Sequence, residues 1–274
     1  MYRRAPRLAI FLIALTSVLA LAAPMNFVLM TPGDPQPLFP KTLTIAPHHA
    51  ELQSYKADGQ MYLLTIYVTN PETKVLGAEV LGCWMWGRCA VVPRSAIYQR
   101  ETDNEKEIAT GTREMKQSQS AALTVSRRII SKRFPHVNLS HLTDKAITVN
   151  LKDTGGPSGG LIFTLGLIEL LTPDNLLQGR TIAATGTMNA QGHVGAIGGV
   201  SEKVLGAQSA NASVIFIPRE NCSDLPDRVS GISVIAVDSV DQAITYLLAS
   251  SQGDSRRERI LNSAGIHGCA NLGA

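Results

Sequence analysis

The second half of the chain alternates short apolar runs with stretches of helical spacing. Four runs have the length and β-branched content of strands, AITVNL (146–151), TIAATGTM (181–188), SVIFIP (213–218) and ISVIAV (232–237). Helices are predicted between them, over Ser158–Leu171, around 200–210 and near 241–249. This alternation predicts an α+β, or α/β-like, domain.

The first of these helices has a clear apolar face. Its apolar positions recur at intervals of three and four, and Pro173 follows its predicted end. That spacing predicts one buried stripe. The residues expected to be buried are Leu161, Ile162, Leu165, Ile168 and Leu171.

The N-terminus carries a long uncharged run. Residues 8–23 follow Arg3, Arg4 and Arg7, and apolar residues continue to Met30. As one helix, that stretch would reach about 34 Å, enough to span a bilayer. It predicts an uncleaved, single-pass anchor in the cell membrane with the rest of the chain extracytoplasmic; the alternative is a cleaved signal peptide and a secreted protein.

The region between this run and residue 128 is mixed. Residues 31–40 are rich in proline and predict a stalk, residues 60–69 and pieces of 75–92 predict strands, and the charges of 101–116 predict a surface loop that leads into a helix. The predicted division of the chain is 1–30 (anchor or signal segment), 31–128 (stalk and strand-rich region), 129–250 (α+β domain) and 251–274 (polar tail).

Composition narrows the function classes. With 274 residues and 45% apolar content the chain can bury a core, and a net charge of +3 leaves no basic face for nucleic acid. Cys83 and Cys89 bracket a short loop that could close as a disulfide, whereas Cys222 and Cys269 are far apart in sequence; four free thiols remain the alternative. No C-x-x-C motif is present, so we predict no metal site and no cofactor.

Ser158 is the candidate nucleophile. It occupies the third position of a G-x-S-x-G pattern, Gly156-Pro157-Ser158-Gly159-Gly160, between a predicted strand and a predicted helix. Unpaired N–H groups and the positive end of the helix dipole at this place could stabilise an oxyanion. The alternative is a glycine-rich turn that packs a helix closely on a sheet or binds an anion.

A serine nucleophile needs a base, and two kinds are available. His193 or His267 with an aspartate would give a Ser-His-Asp esterase of the α/β-hydrolase type. Lys203 falls in the first turn of a predicted helix, where burial and the dipole could lower its pKa from about 10.4 to between 7 and 8. Taken alone, Lys203 could equally be a solvated surface lysine.

Residues from about Asn150 to Leu225 resemble the proteolytic domain of Lon-family Ser-Lys peptidases. The family's nucleophile loop is matched by KDTGGPSGG (152–160), its lysine segment by TGTMNAQGHVGAIGGVSEKVLGA (185–207), and its next strand by SVIFIPRENCSDL (213–225). The resemblance implies that Ser158 is the nucleophile and Lys203 the general base. Thr185 and Gly156 are implied supporting residues: Thr185 matches the threonine that helps to hold the lysine, and Gly156 is expected to support the oxyanion.

Two positions depart from the family pattern, and both lie close to the implied site. Gly155 replaces an aspartate that many Lon proteins carry, and Thr187 replaces the glutamate of their T-G-E motif. The two dyad residues themselves are present, so the departures concern the tuning of the site.

The N-terminal half is similar to bacterial membrane-anchored Lon-like proteases that usually contain a PDZ domain. The motif MKQSQSAALTVSRR (115–128) carries this similarity, and because only Ile129–Ala146 lies where the PDZ domain would be, we expect that domain to be missing. The sequence also contains no G-x-x-x-x-G-K-[ST] phosphate loop.

Together, these resemblances imply an ATP-independent serine endopeptidase with residues 129–250 as its Lon-like proteolytic domain. They imply flexible or unfolded, extracytoplasmic or membrane-proximal protein substrates, and a homo-oligomer that is hexameric by resemblance. An inactive, surface-anchored binding scaffold remains the alternative from another class.

Overall fold

A computed structural model describes residues 6–45, 52–99, 102–151, 154–226 and 228–269. Its contacts divide the chain into two compact units. The first contains Met1–Pro32 and Ile66–Glu107, and the second contains Gly33–Thr65 and Ile108–Ala274.

Helices and strands alternate along most of the described chain. The helices are α1 (Arg7–Ala22), α2 (Gly77–Trp86), α3 (Arg94–Ile97), α4 (Asn104–Arg133), α5 (Gly160–Leu171), α6 (Val200–Ser209), α7 (Val240–Ala249) and α8 (Asp254–Ser263). The strands are β1 (Pro24–Met25), β2 (Phe27–Pro32), β3 (Gln36–Pro37), β4 (Leu43–Ile45), β5 (Gln60–Leu63), β6 (Ile66–Val68), β7 (Val75–Leu76), β8 (Ala90–Pro93), β9 (Ile147–Val149), β10 (Thr181–Ala184), β11 (Thr187–Met188), β12 (Val194–Gly195), β13 (Val214–Pro218), β14 (Ser233–Val237) and β15 (His267–Gly268).

The second unit is built around one mixed sheet with the strand order β15-β14-β13-β10-β5-β3. Its four middle strands are parallel, and the two edge strands are antiparallel to their neighbours. Two short antiparallel pairs, β4 with β9 and β11 with β12, lie outside this sheet.

Helices cover both faces of the sheet. On β10, Ile182 and Ala184 join the large core that contains α5, α7 and the buried side of α4, whereas Ala183 joins the smaller core under α6. Strand β13 alternates in the same way, as a two-residue period requires. The result is a three-layer, mixed α/β unit, as the sequence predicts. All five residues predicted for the apolar face of the first helix, now α5, are buried.

The predicted surface loop over 101–116 is wrong, because α4 is one helix from Asn104 to Arg133. Glutamates in its first turn and Lys132 and Arg133 in its last turn complement the helix dipole. Its buried positions recur at helical spacing, Met115, Ser118, Ala122, Leu123, Val125, Ser126, Ile129 and Ile130. The strands predicted within 75–92 are mostly wrong too, since α2 separates the short strands β7 and β8.

The first unit has a small antiparallel sheet with the order β6-β2-β8 and a second pair formed by β1 and β7. Val28, Met30 and Tyr98 form its buried cluster. The Tyr98 hydroxyl donates to the Thr69 carbonyl, which ties the segment after α3 to the end of β6.

The predicted single-pass membrane anchor is wrong. Helix α1 has 16 residues, roughly 24 Å of helix against a hydrocarbon core of about 30 Å. Ala23 is extended and Pro24 opens a strand, as expected where a proline stops a helix. The apolar residues from Phe27 onward form β2 instead of prolonging the helix. Over the described ranges, no helix combines the length and apolarity needed to cross a membrane.

The four cysteines form two disulfides. Cys83 of α2 pairs with Cys89 in the first unit, and Cys222 pairs with Cys269 in the second, each with a Cα–Cα distance of 5.3 Å. The second bond ties the helical turn Arg219–Asp224, which follows β13, to the residue after β15.

Candidate active site

Ser158 lies in the loop that leads from β9 into α5, two residues before the helix begins at Gly160. The serine is half-buried, and the two glycines after it are fully buried. A Cβ at Gly160 would lie 2.5 Å from Met188 Cβ, and one at Gly159 would lie 2.6 Å from the ring of Phe163. The glycines of the motif therefore allow close packing around the helix start.

Helix α4 holds this loop from one side. The Gly156 N–H donates to the Gly111 carbonyl over 2.9 Å, and the Ser118 hydroxyl donates to the Pro157 carbonyl over 2.9 Å. A Cβ on Gly155 would meet Gly111 Cα at 2.9 Å. This approach of two backbones explains why glycine occupies position 155, where the family resemblance predicts an aspartate.

The residues directly after β10 also hold the loop. The Ser158 carbonyl accepts the Gly186 N–H over 2.9 Å and the Thr185 hydroxyl over 3.3 Å. Thr185 is buried directly after β10, where its own N–H donates to the Phe216 carbonyl. The structure therefore brings two of the predicted site residues, Ser158 and Thr185, into direct contact.

Lys203 belongs to the N-terminal part of α6. Gly199 precedes the helix in the left-handed region, with φ of 66°, and its carbonyl accepts the Lys203 N–H over 3.0 Å. Only 3% of Lys203 is exposed. Burial lowers the pKa of the amine to about 7, and the charge of the neighbouring Glu202 opposes this shift. Lys203 is thus not a solvated lysine, the plain alternative that its sequence allowed.

The two residues of the predicted dyad, Ser158 and Lys203, are not hydrogen bonded to each other. Among the bonds formed by the described residues, none joins Lys203 Nζ to Ser158 Oγ. Catalytic hydrogen bonds in proteins without substrate are often long and tighten when substrate binds.

The two histidines of the alternative triad both belong to the second unit. His193 precedes β12, and its backbone N–H donates to the Asn189 side chain. His267 is part of β15 and lies opposite Ala236 of β14. Asp238 forms a salt bridge of 2.7 Å with Arg219. In the described part of the chain, no salt bridge joins either histidine to an aspartate.

A groove with a volume of ≈ 260 Å³ opens near the helix start. Phe163 of α5 forms part of its wall, and the same ring packs against Gly159 of the Ser158 loop. Its lining is largely apolar with polar residues from α4: Leu43, Lys116, Gln119, Ser120, Leu123, Ile147, Val149, Phe163 and Leu167.

Sequence reasoning missed the two α4 residues that touch the nucleophile loop. Gly111 and Ser118 are seven residues apart, which places them on one face of a helix two turns apart. Small residues at this interval typically mark a helix face that another backbone approaches closely. Because charged residues dominate 101–116, this region was predicted as a surface loop and the spacing of Gly111 and Ser118 was overlooked.

Comparison with known proteins identifies relatives over much of the chain. A sequence model of the Lon protease (S16) C-terminal proteolytic domain matches residues 101–250. The Lon protease of Acinetobacter baumannii (strain AB307-0294) is 35% identical over 147 residues, which are 50% of this chain and 17% of that protein. The mitochondrial Lon protease homolog of Kluyveromyces lactis is 26% identical over 209 residues, which are 73% of this chain and 18% of that protein.

The matched part is a small share of these relatives. The Lon protease of Koribacter versatilis (strain Ellin345) is 34% identical over 108 residues, which are 38% of this chain and 13% of that protein. The chain therefore spans between 13% and 18% of the length of these curated relatives. The match lies in the segment that contains α4, the Ser158 loop and α6.

Proposed function

Because the chain belongs to the family of Lon protease (S16) C-terminal proteolytic domains, we propose that it is a serine endopeptidase in which Ser158 is the nucleophile and Lys203 the general base. The observation that carries this proposal is the buried Lys203 with its pKa near 7. A buried amine that is neutral at physiological pH can accept a proton, which a solvated lysine cannot do efficiently.

The chemistry is acyl transfer in two steps. Neutral Lys203 accepts the Ser158 hydroxyl proton as the oxygen attacks the carbonyl carbon of the peptide bond. The resulting ammonium gives that proton to the departing amine, which leaves an acyl-enzyme. Water then attacks the ester while neutral Lys203 accepts one of the water protons, and Lys203 returns that proton to the Ser158 oxygen as the ester bond breaks and the free acid departs. For this, Lys203 Nζ must come within hydrogen-bond reach of Ser158 Oγ, about 3 Å, when substrate is bound.

The lowered pKa of Lys203 determines the fraction of enzyme molecules whose amine is neutral and can act as the base. With a pKa of about 7, about half of the Lys203 amines are neutral at pH 7, against roughly one in three thousand for an ordinary lysine. Desolvation by the surrounding core lowers the Lys203 pKa, and the negative charge of Glu202 raises it and so makes the shift smaller.

The oxyanion is proposed to contact the Ser158 N–H, which lies two residues before the start of α5. The Gly156 N–H already donates to Gly111, so the proposed support from Gly156 is conformational. Its φ of +92° lies in the left-handed region, which glycine adopts without strain. Thr185 is proposed to hold the carbonyl of the nucleophile, with which it forms a hydrogen bond.

The proposed substrates are flexible or unfolded protein segments. The sequence has no phosphate loop of the G-x-x-x-x-G-K-[ST] type, so unfolding by ATP hydrolysis is not expected from this chain. The apolar groove beside Gly159 would accept an apolar side chain near the scissile bond. Two disulfides favour substrates met under oxidising conditions. The hexameric assembly and the predicted division at residues 129 and 250 remain predictions.

The test is turnover of an unfolded protein substrate by purified variants. Ser158→Ala should abolish cleavage and labelling by a fluorophosphonate serine probe, while Ser131→Ala, an exposed serine on α4 outside the groove, should behave like the unmodified chain. His193→Ala and His267→Ala should retain activity. Loss of activity in either histidine variant with full activity in Lys203→Met would support the esterase triad, and no labelling of the unmodified chain under any condition would support a binding scaffold.

A further inference from the structure

We propose that Ser118 of α4 is a positioning residue for catalysis, which aims the Ser158 N–H at the oxyanion. The proposal rests on the proposed function, because it concerns the same acyl-transfer site. Ser118 would not touch the substrate; it would act through the peptide group between Pro157 and Ser158.

The contact that carries the proposal is short and buried. Ser118 is 3% exposed, and its hydroxyl donates to the Pro157 carbonyl over 2.9 Å. One residue earlier in the loop, the Gly156 N–H donates to the Gly111 carbonyl of the same helix. Two consecutive loop residues are therefore held by one face of α4.

The geometry of a peptide group links this contact to the oxyanion. The C=O and N–H of a trans peptide lie in one plane and point in opposite directions. Phe39–Pro40 is the cis peptide in the described chain, so the Pro157–Ser158 bond is trans. With its carbonyl held against α4, this peptide directs the Ser158 N–H away from α4.

The next peptide group is fixed as well. The Ser158 carbonyl accepts the Gly186 N–H and the Thr185 hydroxyl. The φ angle of Pro157 is restricted by its ring. The two peptides that flank the nucleophile therefore have little freedom to rotate, and an oxyanion donor that is already oriented costs no reorganisation during the reaction.

The same helix offers a matched control. Ser126 is also a buried serine of α4, and its hydroxyl donates to the Ala122 carbonyl over 2.7 Å and to the Thr164 carbonyl of α5 over 3.3 Å. It contacts no carbonyl of the loop that precedes α5. Ser118→Ala and Ser126→Ala each remove one buried hydroxyl from the same helix, but only the first frees the Pro157–Ser158 peptide.

The experiment compares these two variants with the full chain on a fluorogenic peptide and on a peptide boronate, whose tetrahedral adduct with serine places an oxygen where the oxyanion forms. Removal of an oxyanion donor typically lowers kcat by 10²–10³, so loss of its orientation should lower kcat by about 10- to 100-fold in Ser118→Ala. Boronate affinity should fall by a similar factor, while KM and the midpoint of the pH profile stay unchanged. Ser126→Ala should keep kcat and boronate affinity within about twofold.

The proposal is overturned if folded Ser118→Ala matches Ser126→Ala in both kcat and boronate affinity, or if only KM changes. Ser118→Cys, a nearly isosteric variant with a weaker donor, covers the case in which Ser118→Ala does not fold. It should lose several-fold in kcat, and full kcat in folded Ser118→Cys would also overturn the proposal. Ser158→Ala separates the two levels: activity in that variant contradicts the proposed function, whereas an inactive Ser158→Ala beside a normal Ser118→Ala contradicts the positioning role alone.

Discussion

The two sides of the candidate site are organised by different forces. The Ser158 loop is fixed by directional hydrogen bonds: it donates one to the Gly111 carbonyl and accepts others from Ser118, Thr185 and Gly186. The protonation state of Lys203 is determined by its surroundings, because burial lowers the pKa of its amine. The orientation of the proposed nucleophile thus depends on hydrogen-bond geometry, and the protonation state of the proposed base depends on its burial.

This difference predicts how each side should respond to change. A hydrogen bond can be removed singly, and the loop retains the others, so each loss should be limited. Burial of an amine is a collective property of the core beneath α6, which contains Val200 and Val204. The base side should therefore respond strongly to pH and to replacement of the lysine itself, and the loop side only to the loss of particular contacts.

The largest effect is expected for Lys203→Met, which retains the stem and removes the amine. Activity should fall by about 10³-fold or more, since no base remains for the serine. Stability should change in the opposite direction. The folded pKa of about 7 lies below the unfolded value of 10.5, so at neutral pH the unfolded chain binds more protons and the native state is penalised by roughly 4 kcal/mol.

Chemical denaturation at several pH values measures the stability part of this prediction. The unmodified chain should gain stability as pH rises from about 7 toward 10.5, and Lys203→Met should be more stable than the unmodified chain at pH 7 and lack that gain. Equal stability of the two proteins at pH 7 would mean that Lys203 is solvated.

The next largest effect is the pH dependence of turnover. Below the Lys203 pKa of about 7, kcat/KM should fall about tenfold per pH unit, because the protonated amine cannot act as base. The midpoint of the kcat/KM profile gives the Lys203 pKa in the free enzyme. A profile that is flat from pH 5 to 9 would contradict a lysine base.

A smaller effect is expected for Thr185→Val, which removes the hydroxyl that donates to the Ser158 carbonyl over 3.3 Å. The Gly186 N–H still holds that carbonyl, so kcat should fall by about tenfold, less than the roughly 10²–10³ lost when an oxyanion donor itself is removed. Thr172→Val is the control, because that buried hydroxyl donates to Ile168 within α5. Equal kcat values for the two variants would remove Thr185 from the site.

The smallest effect is expected for Gly155→Ala. The added Cβ would lie 2.9 Å from Gly111 Cα, so α4 and the loop must separate by a few tenths of an ångström, and kcat should fall by about two- to fivefold. Gly253→Ala, where a Cβ has no neighbour within 4 Å, should change nothing. A normal Gly155→Ala would show that the close approach of α4 is dispensable.

The sequence predicts the second unit better than the first, and the physical reason is burial. In α5 the five residues predicted to be buried are buried, but the single buried stripe is wrong, because the helix is buried on nearly all sides. In the first unit, large apolar side chains are exposed, with Phe11 at 62% and Trp84 at 81%. Hydrophobicity there does not mark a buried face, and the anchor predicted from it is wrong.

Long-range contacts account for the remaining differences at the site. Strand β5 pairs with β10 although more than a hundred residues separate them, and Gly156 bonds to Gly111 although the two lie in separate segments of the chain. Local spacing cannot predict such pairings. The motif around Ser158 and the segment of Lys203 could be predicted, whereas the role of α4 in holding the nucleophile loop required the structure.

The most direct test of the central proposal is an NMR titration of Lys203 in the full chain, with isotope-labelled lysine and with Lys203→Met to assign the signal. A titration midpoint near pH 7 is expected for an amine buried to this extent. A Lys203 signal that remains fully protonated above about pH 10, as for a lysine in water, would contradict the proposed Ser158–Lys203 mechanism.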